Sequence, residues 1–184
     1  MRILPLALMI LMVPTLALAH PGHEGPSFLT GLGHPLGGLD HVLAMLAVGL
    51  MAAQAGGRAL WALPVTFVGA MLAGGVFGFA GVTLSAVEPL ILASIIMLGA
   101  LVALATRPKL ATLVPMVAVF GLAHGWAHGA EGPAQGLALY AAGFALATAG
   151  LHLAGIGLGR ALNHLAIRTL GGGAALAGLA LAFA

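Results

Sequence analysis

"HPLGGLDHVLAMLAVGL", residues 34–50, sets two histidines and an aspartate at the threshold of an apolar run. Charged and imidazole side chains are costly at the edge of hydrocarbon, so His34, Asp40 and His41 need partners that offset that cost. Hydrocarbon is the relevant solvent because of the composition around them. Of 184 residues, 61% are hydrophobic and 5% charged, against about a quarter charged in soluble domains. Such a chain cannot cover itself with polar surface in water, so the lipid bilayer is its partner. Six basic and four acidic residues are too thin a balance to suggest nucleic acid. The absence of cysteine identifies no compartment.

The first residues behave differently from the rest. Arg2 precedes a short apolar stretch, Ile3 to Leu16, broken by Pro5 and Pro14, and Ala17-Leu18-Ala19 offers a small-x-small cleavage pattern. Residues 1–19 therefore read as a cleavable secretory signal with His20 the first mature residue; the rival is an uncleaved first helix. Residues 20–36 follow as a periplasmic segment, and residues 37–184 as a transmembrane domain. A bilayer core of about 30 Å needs roughly 20 apolar residues in a helix. Six stretches qualify: Leu39–Gln54, Leu60–Phe79, Pro89–Ala105, Leu110–His128, Gln135–Leu158 and Leu165–Phe183. The first is short and is expected to begin near Gly37. The expected fold is an all-α integral membrane protein, a compact bundle of six transmembrane helices.

The basic residues orient it. Arg58, then Arg107 and Lys109, then Arg160 and Arg168 fall in or beside alternate connections, so all five share one side, which the positive-inside rule makes cytoplasmic. The mature N-terminus is then periplasmic, in agreement with the signal. Small-xxx-small pairs at Gly74/Gly78, Gly155/Gly159 and Ala174/Gly178/Ala182 predict close helix packing. The polar motifs of spans one to three do not recur in four to six. Ser85 to Glu88, "SAVE", matches a capping box before Pro89, and Glu88 is assigned to capping. Trp61 and Trp126 suit interface anchors at opposite faces.

Span four ends "FGLAHGWAHGAE", residues 120–131. His124 and His128 are four apart and share a face, which Glu131 extends by another turn. Under this topology they lie at the same outer depth as His34, Asp40 and His41. Any one of these groups has a structural explanation: Asp40 as a cap, a histidine bonded to a neighbouring carbonyl. Together they point to a divalent transition metal, because imidazole and carboxylate suit nickel, cobalt, copper or zinc, while calcium and magnesium prefer oxygen alone. Met45, one turn from His41, reads as packing. His152, deep in span five, is either a second station for an ion or a histidine bonded within the bundle. His164 needs no special role, and His20 and His23 belong to the outer tail.

His34 followed by five residues and then Asp40-His41, together with "HGWAHGAE" from His124, resembles the HupE/UreJ family over the whole chain. The family's second motif usually has phenylalanine just before its first histidine; here Ala123 stands there, with Phe120 three residues earlier. Every candidate ligand is intact. The resemblance implies metal-handling roles for His34, Asp40, His41, His124, His128 and Glu131, a nickel permease of the bacterial inner membrane with cobalt as competitor, and a link to hydrogenase or urease maturation. It implies no enzyme activity and no prosthetic group; Ni2+ or Co2+ is cargo. No nucleotide-binding motif is present. A ceramidase-like zinc hydrolase and a metal-binding accessory protein without transport are the alternatives, and the sequence leaves homo-oligomerisation open.

Overall fold

The computed structural model describes residues 27–183, so the signal segment and the tail with His20 and His23 lie outside the described residues. Within them the chain forms seven helices: α1 Phe28–Gly37, α2 Leu39–Ala55, α3 Ala59–Phe79, α4 Val87–Ala103, α5 Leu110–Ala130, α6 Leu137–Ala161 and α7 His164–Ala182. There is no strand among the described residues. α2 to α7 lie within a few residues of the six apolar stretches, because hydropathy and breakers agree. Gly56 and Gly57, with φ of 67° and 51°, end α2 in a conformation that strains any residue with a Cβ.

Two local expectations are corrected. Span one does not extend smoothly back to Gly37: the chain turns through Gly38, and α1 meets α2 at 88°. α1 itself was not anticipated, because three glycines and Pro35 argue against a helix there. Its start is fixed by reciprocal bonds between Ser27 and Thr30, a capping box. The second correction concerns Glu88. α4 begins at Val87 with Ala86 as its N-cap and no side-chain capping bond, so the Ser85–Glu88 box does not form, although Pro89 does occupy the first turn.

Four helices, α3, α5, α6 and α7, are long and apolar enough to cross a membrane; α1 with α2 makes a bent fifth, and α4 is apolar but has only 17 residues. Large apolar side chains point outward along them, Val76, Leu153 and Leu176 each being about two-thirds exposed. An apolar exterior around an apolar interior is what lipid permits and water does not. The chain is a multi-pass membrane protein.

Backbone contact without intervening side chains holds the bundle together. Cβ atoms added at Gly74 and Gly78 would run into the carbonyls of Leu122 and Trp126, and at Gly125 and Gly129 into those of Met71 and Gly75. α3 and α5 thus lie parallel and in mutual contact, with Pro64 and Pro115 at equivalent positions. Gly49 and Gly155 bring α2 and α6 together in the same way, also parallel, and Gly99, Gly171 and Gly178 join α4 to α7 antiparallel. Gly74, Gly78 and Gly155 of the predicted pairs lie at such backbone contacts, while Gly159 and Gly178 pack against the side chains of Ala53 and Ile95. Dispersion at short range substitutes here for the hydrophobic drive that lipid removes.

Gly125→Leu is expected to lower the melting temperature of the detergent-purified protein by more than about 5 °C or prevent folding. Gly69, which has open space where a Cβ would go, should tolerate alanine with no loss. Equal melting of Gly125→Leu and wild type would contradict the packing.

Candidate metal centre

Charge is segregated along the bundle. At one end Arg58 sits beside Pro108 around a shallow pocket, and Arg168 donates to the Ala103 carbonyl at 2.8 Å. At the other end, Asp40, Glu88 and Glu131, the acidic residues of the described chain, line one cavity of about 470 Å³ together with His34, His41 and His128. A mouth that gathers carboxylates while the cations lie at the far end attracts cations.

Four elements build the cluster at this mouth. α1 brings His34, and its position is set by Gly31 against the Tyr140 carbonyl and Gly143 against that of Phe28. α2 brings Asp40 and His41 in its first turn. α5 brings His124 and His128 on one face, with Glu131 just past its end. α4 brings Ser94 from the side.

The imidazoles form a continuous line from solvent into the core. His34 Nε2 lies 3.1 Å from His128 Nδ1. His128 Nε2 meets His41 Nε2 at 2.5 Å, and His41 Nε2 lies 3.0 Å from His124 Nδ1. His124 Nε2 ends the line 2.9 Å from Ser94 Oγ. Side-chain exposure falls from 39% at His34 through 13% at His128 to 4% at His41, and His124 is fully buried. Glu131 flanks the outer end, with Oε2 3.7 Å from His128 Nδ1 and 4.0 Å from His34 Nε2. Ligand atoms of His34, His128 and Glu131 all lie within 4.8 Å of one another. Phe144 closes one side, its ring 4.6 Å from that of His128.

Counting protons shows what the line lacks. The Ser94 hydroxyl donates to the Ile91 carbonyl at 2.6 Å, so its oxygen accepts the Nε2–H of His124. In the neutral ring that leaves His124 Nδ1 as a bare lone pair. Asp40 Oδ1 stands 3.7 Å from His41 Nδ1, and its negative charge favours the His41 proton on that nitrogen, which bares Nε2. Two lone pairs then face each other at 3.0 Å, an arrangement that repels unless a cation joins it. Buried donors oriented by a hydroxyl and a carboxylate have the form of ligands with outer-shell support. The same direction of bonding disfavours Ser94 as a nucleophile, which would have to give its proton to the histidine.

The cluster thus gathers five of the six predicted residues, His34, His41, His124, His128 and Glu131, while Asp40 stands behind His41. Sequence reasoning missed Ser94 and misassigned Glu88. A lone serine inside an apolar span was the available signal for the first; an acidic residue at the same outer depth as the motifs was the signal for the second. Met45 lies fully buried in the core. Trp126 and Trp61 do sit at opposite ends, but Trp126 is held within the protein, donating to the Val82 carbonyl at 2.7 Å and stacking on Phe77.

The class defined by this fold and cluster is a small multi-pass helical protein with an imidazole and carboxylate mouth. The family described as "HupE / UreJ protein" matches residues 7–181, and Protein HupE of Rhizobium leguminosarum bv. viciae is 43% identical over 177 residues, 93% of this chain and 92% of that protein. The chain belongs to the HupE/UreJ family. No solved structure matches it.

Ser94→Ala strands the buried Nε2–H of His124, a loss of about 1–3 kcal/mol. Chemical or thermal unfolding in detergent should register it. Unchanged stability would mean that the serine does not satisfy the histidine.

Proposed function

We propose that this chain is a permease that takes up Ni2+, with Co2+ as competitor, across the bacterial inner membrane. In this reading α2 to α7 are six spans, the basic end is cytoplasmic by the positive-inside rule, and the acidic mouth opens to the periplasm after signal cleavage. The observation that carries the proposal is the line of imidazoles running from the exposed His34 to the buried His124. Donors about 2.1 Å from one ion and at right angles to each other stand roughly 3 Å apart, close to the His41–His124 and His34–His128 separations. Family membership and the similarity to Protein HupE support nickel or cobalt and a link to hydrogenase or urease maturation.

The carboxylates draw the hydrated ion to the mouth, and His34, His128 and Glu131 replace part of its water shell. His41, His124 and the inner nitrogen of His128 receive it next, with Asp40 holding the His41 ring. Binding must stay weak enough for release, since a closed and tight cage traps an ion. His128 presents one nitrogen to each set, and because a neutral ring has one lone pair at a time, its proton moves from Nε2 to Nδ1 as the ion passes from the outer set to the inner one. The ion is cargo and the chain is no enzyme.

Radioactive nickel uptake into proteoliposomes tests this directly. His41→Ala and His128→Ala are each expected to lower flux at least about tenfold; flux equal to wild type in both would refute the site. Acid gives an independent check. A protonated imidazole has no lone pair, and burial holds His34 at the mouth below the ordinary histidine range of about pH 6.5, so flux should stay full through that range and fall only at pH below it. A rate that never falls as pH is lowered from 7 to well below about 5 contradicts histidine coordination. Metal-dependent hydrolysis by protein that carries no ion would favour the hydrolase instead.

A further inference from the structure

Deeper than this cluster the bundle holds one more imidazole, which the uptake site does not use. His152 of α6 is fully buried, and neither of its ring nitrogens has a hydrogen-bond partner among the described residues. A polar ring deprived of partners destabilises a fold, and an apolar side chain of similar size would fill the position without that cost. Its oriented contact is with an aromatic ring: Phe67 meets it edge to face with centroids 5.1 Å apart. The same Phe67 ring lies 5.5 Å from that of His124. One side chain therefore touches both the innermost imidazole of the outer cluster and this isolated one.

One turn away on the same helix the other buried polar side chain of α6 does have a partner. Thr148, one turn earlier on α6, is fully buried and directs its hydroxyl to Met71 Sδ at 3.7 Å. That leaves the His152 nitrogens as the unused donors here, and imidazole nitrogen suits late first-row cations, whereas calcium and magnesium prefer oxygen. The helix contacts keep His152 in line with the mouth, because Gly49, two turns below His41 on α2, packs on the His152 carbonyl.

We propose that His152 is a second cation station, reached past the Phe67 ring, which takes a divalent transition metal from His124 on its unpartnered ring nitrogen. The proposal rests on the reading of the chain as a cation carrier and adds where the ion goes after it leaves the outer cluster.

The test combines nickel-binding stoichiometry of the detergent-purified full chain with nickel flux in proteoliposomes. His152→Leu is expected to bind one nickel ion fewer per chain than wild type, to keep the affinity of the remaining binding, and to carry nickel about tenfold more slowly. His152→Met, which keeps a donor atom, should recover part of the flux. Unchanged stoichiometry overturns the station whatever the flux. One ion fewer with flux intact overturns it as a step on the path. If wild type itself carries no nickel, the permease reading fails, and stoichiometry alone then decides whether His152 holds an ion. Should His152→Leu not fold, anomalous diffraction from cobalt-soaked wild-type crystals decides: a peak at a His152 nitrogen supports the station, and signal confined to the outer cluster overturns it.

Discussion

A neutral imidazole has one proton and one lone pair, and inside an apolar bundle each needs a counterpart. That requirement organises the acidic end of this protein. Ser94 consumes the His124 proton, the Asp40 carboxylate favours the His41 proton on the outward nitrogen, and the remaining lone pairs are turned on one another. A bundle that only needed filling would place leucine at these positions. The carboxylates that line the mouth attract positive charge.

Such short separations between rings on different helices depend on how closely the helices approach. The glycines of α3 and α5 let Met71 and Leu122 carbonyls sit where side chains would otherwise stand, and Gly49 with Gly155 does the same for α2 and α6. α1 reaches the cluster only because Gly31 and Gly143 let it lie against the start of α6. Packing and chemistry are therefore linked: a bulkier residue at these contacts moves the ladder of imidazoles apart. Among the described residues, segregation of the arginines and the lysine to the opposite end keeps the mouth free of competing cations.

The six apolar helices were legible because hydropathy, glycine breaks and alternate basic connections all gave the same boundaries. The shared face of His124, His128 and Glu131 was legible from their four- and three-residue spacing alone. α1 was not, since Gly31, Gly33, Gly37 and Pro35 lower helix propensity, and only the Ser27-x-x-Thr30 cap hinted at it. Without α1 the reach of His34 to His128 has no local signature. Glu88 was misread because S-x-x-E before a proline fits a cap as well as it fits a cavity wall. Ser94 and the isolation of His152 are products of tertiary contact, which no periodicity in the chain records.

In the proposed carrier, α2 and α5 present nitrogen donors to one shared ion. Nickel K-edge absorption on protein loaded with one equivalent of Ni2+ addresses it most directly. The first shell is expected to contain at least two imidazoles in wild type and one fewer in His128→Ala. A shell of oxygen alone, or one indifferent to loss of His128, would contradict it.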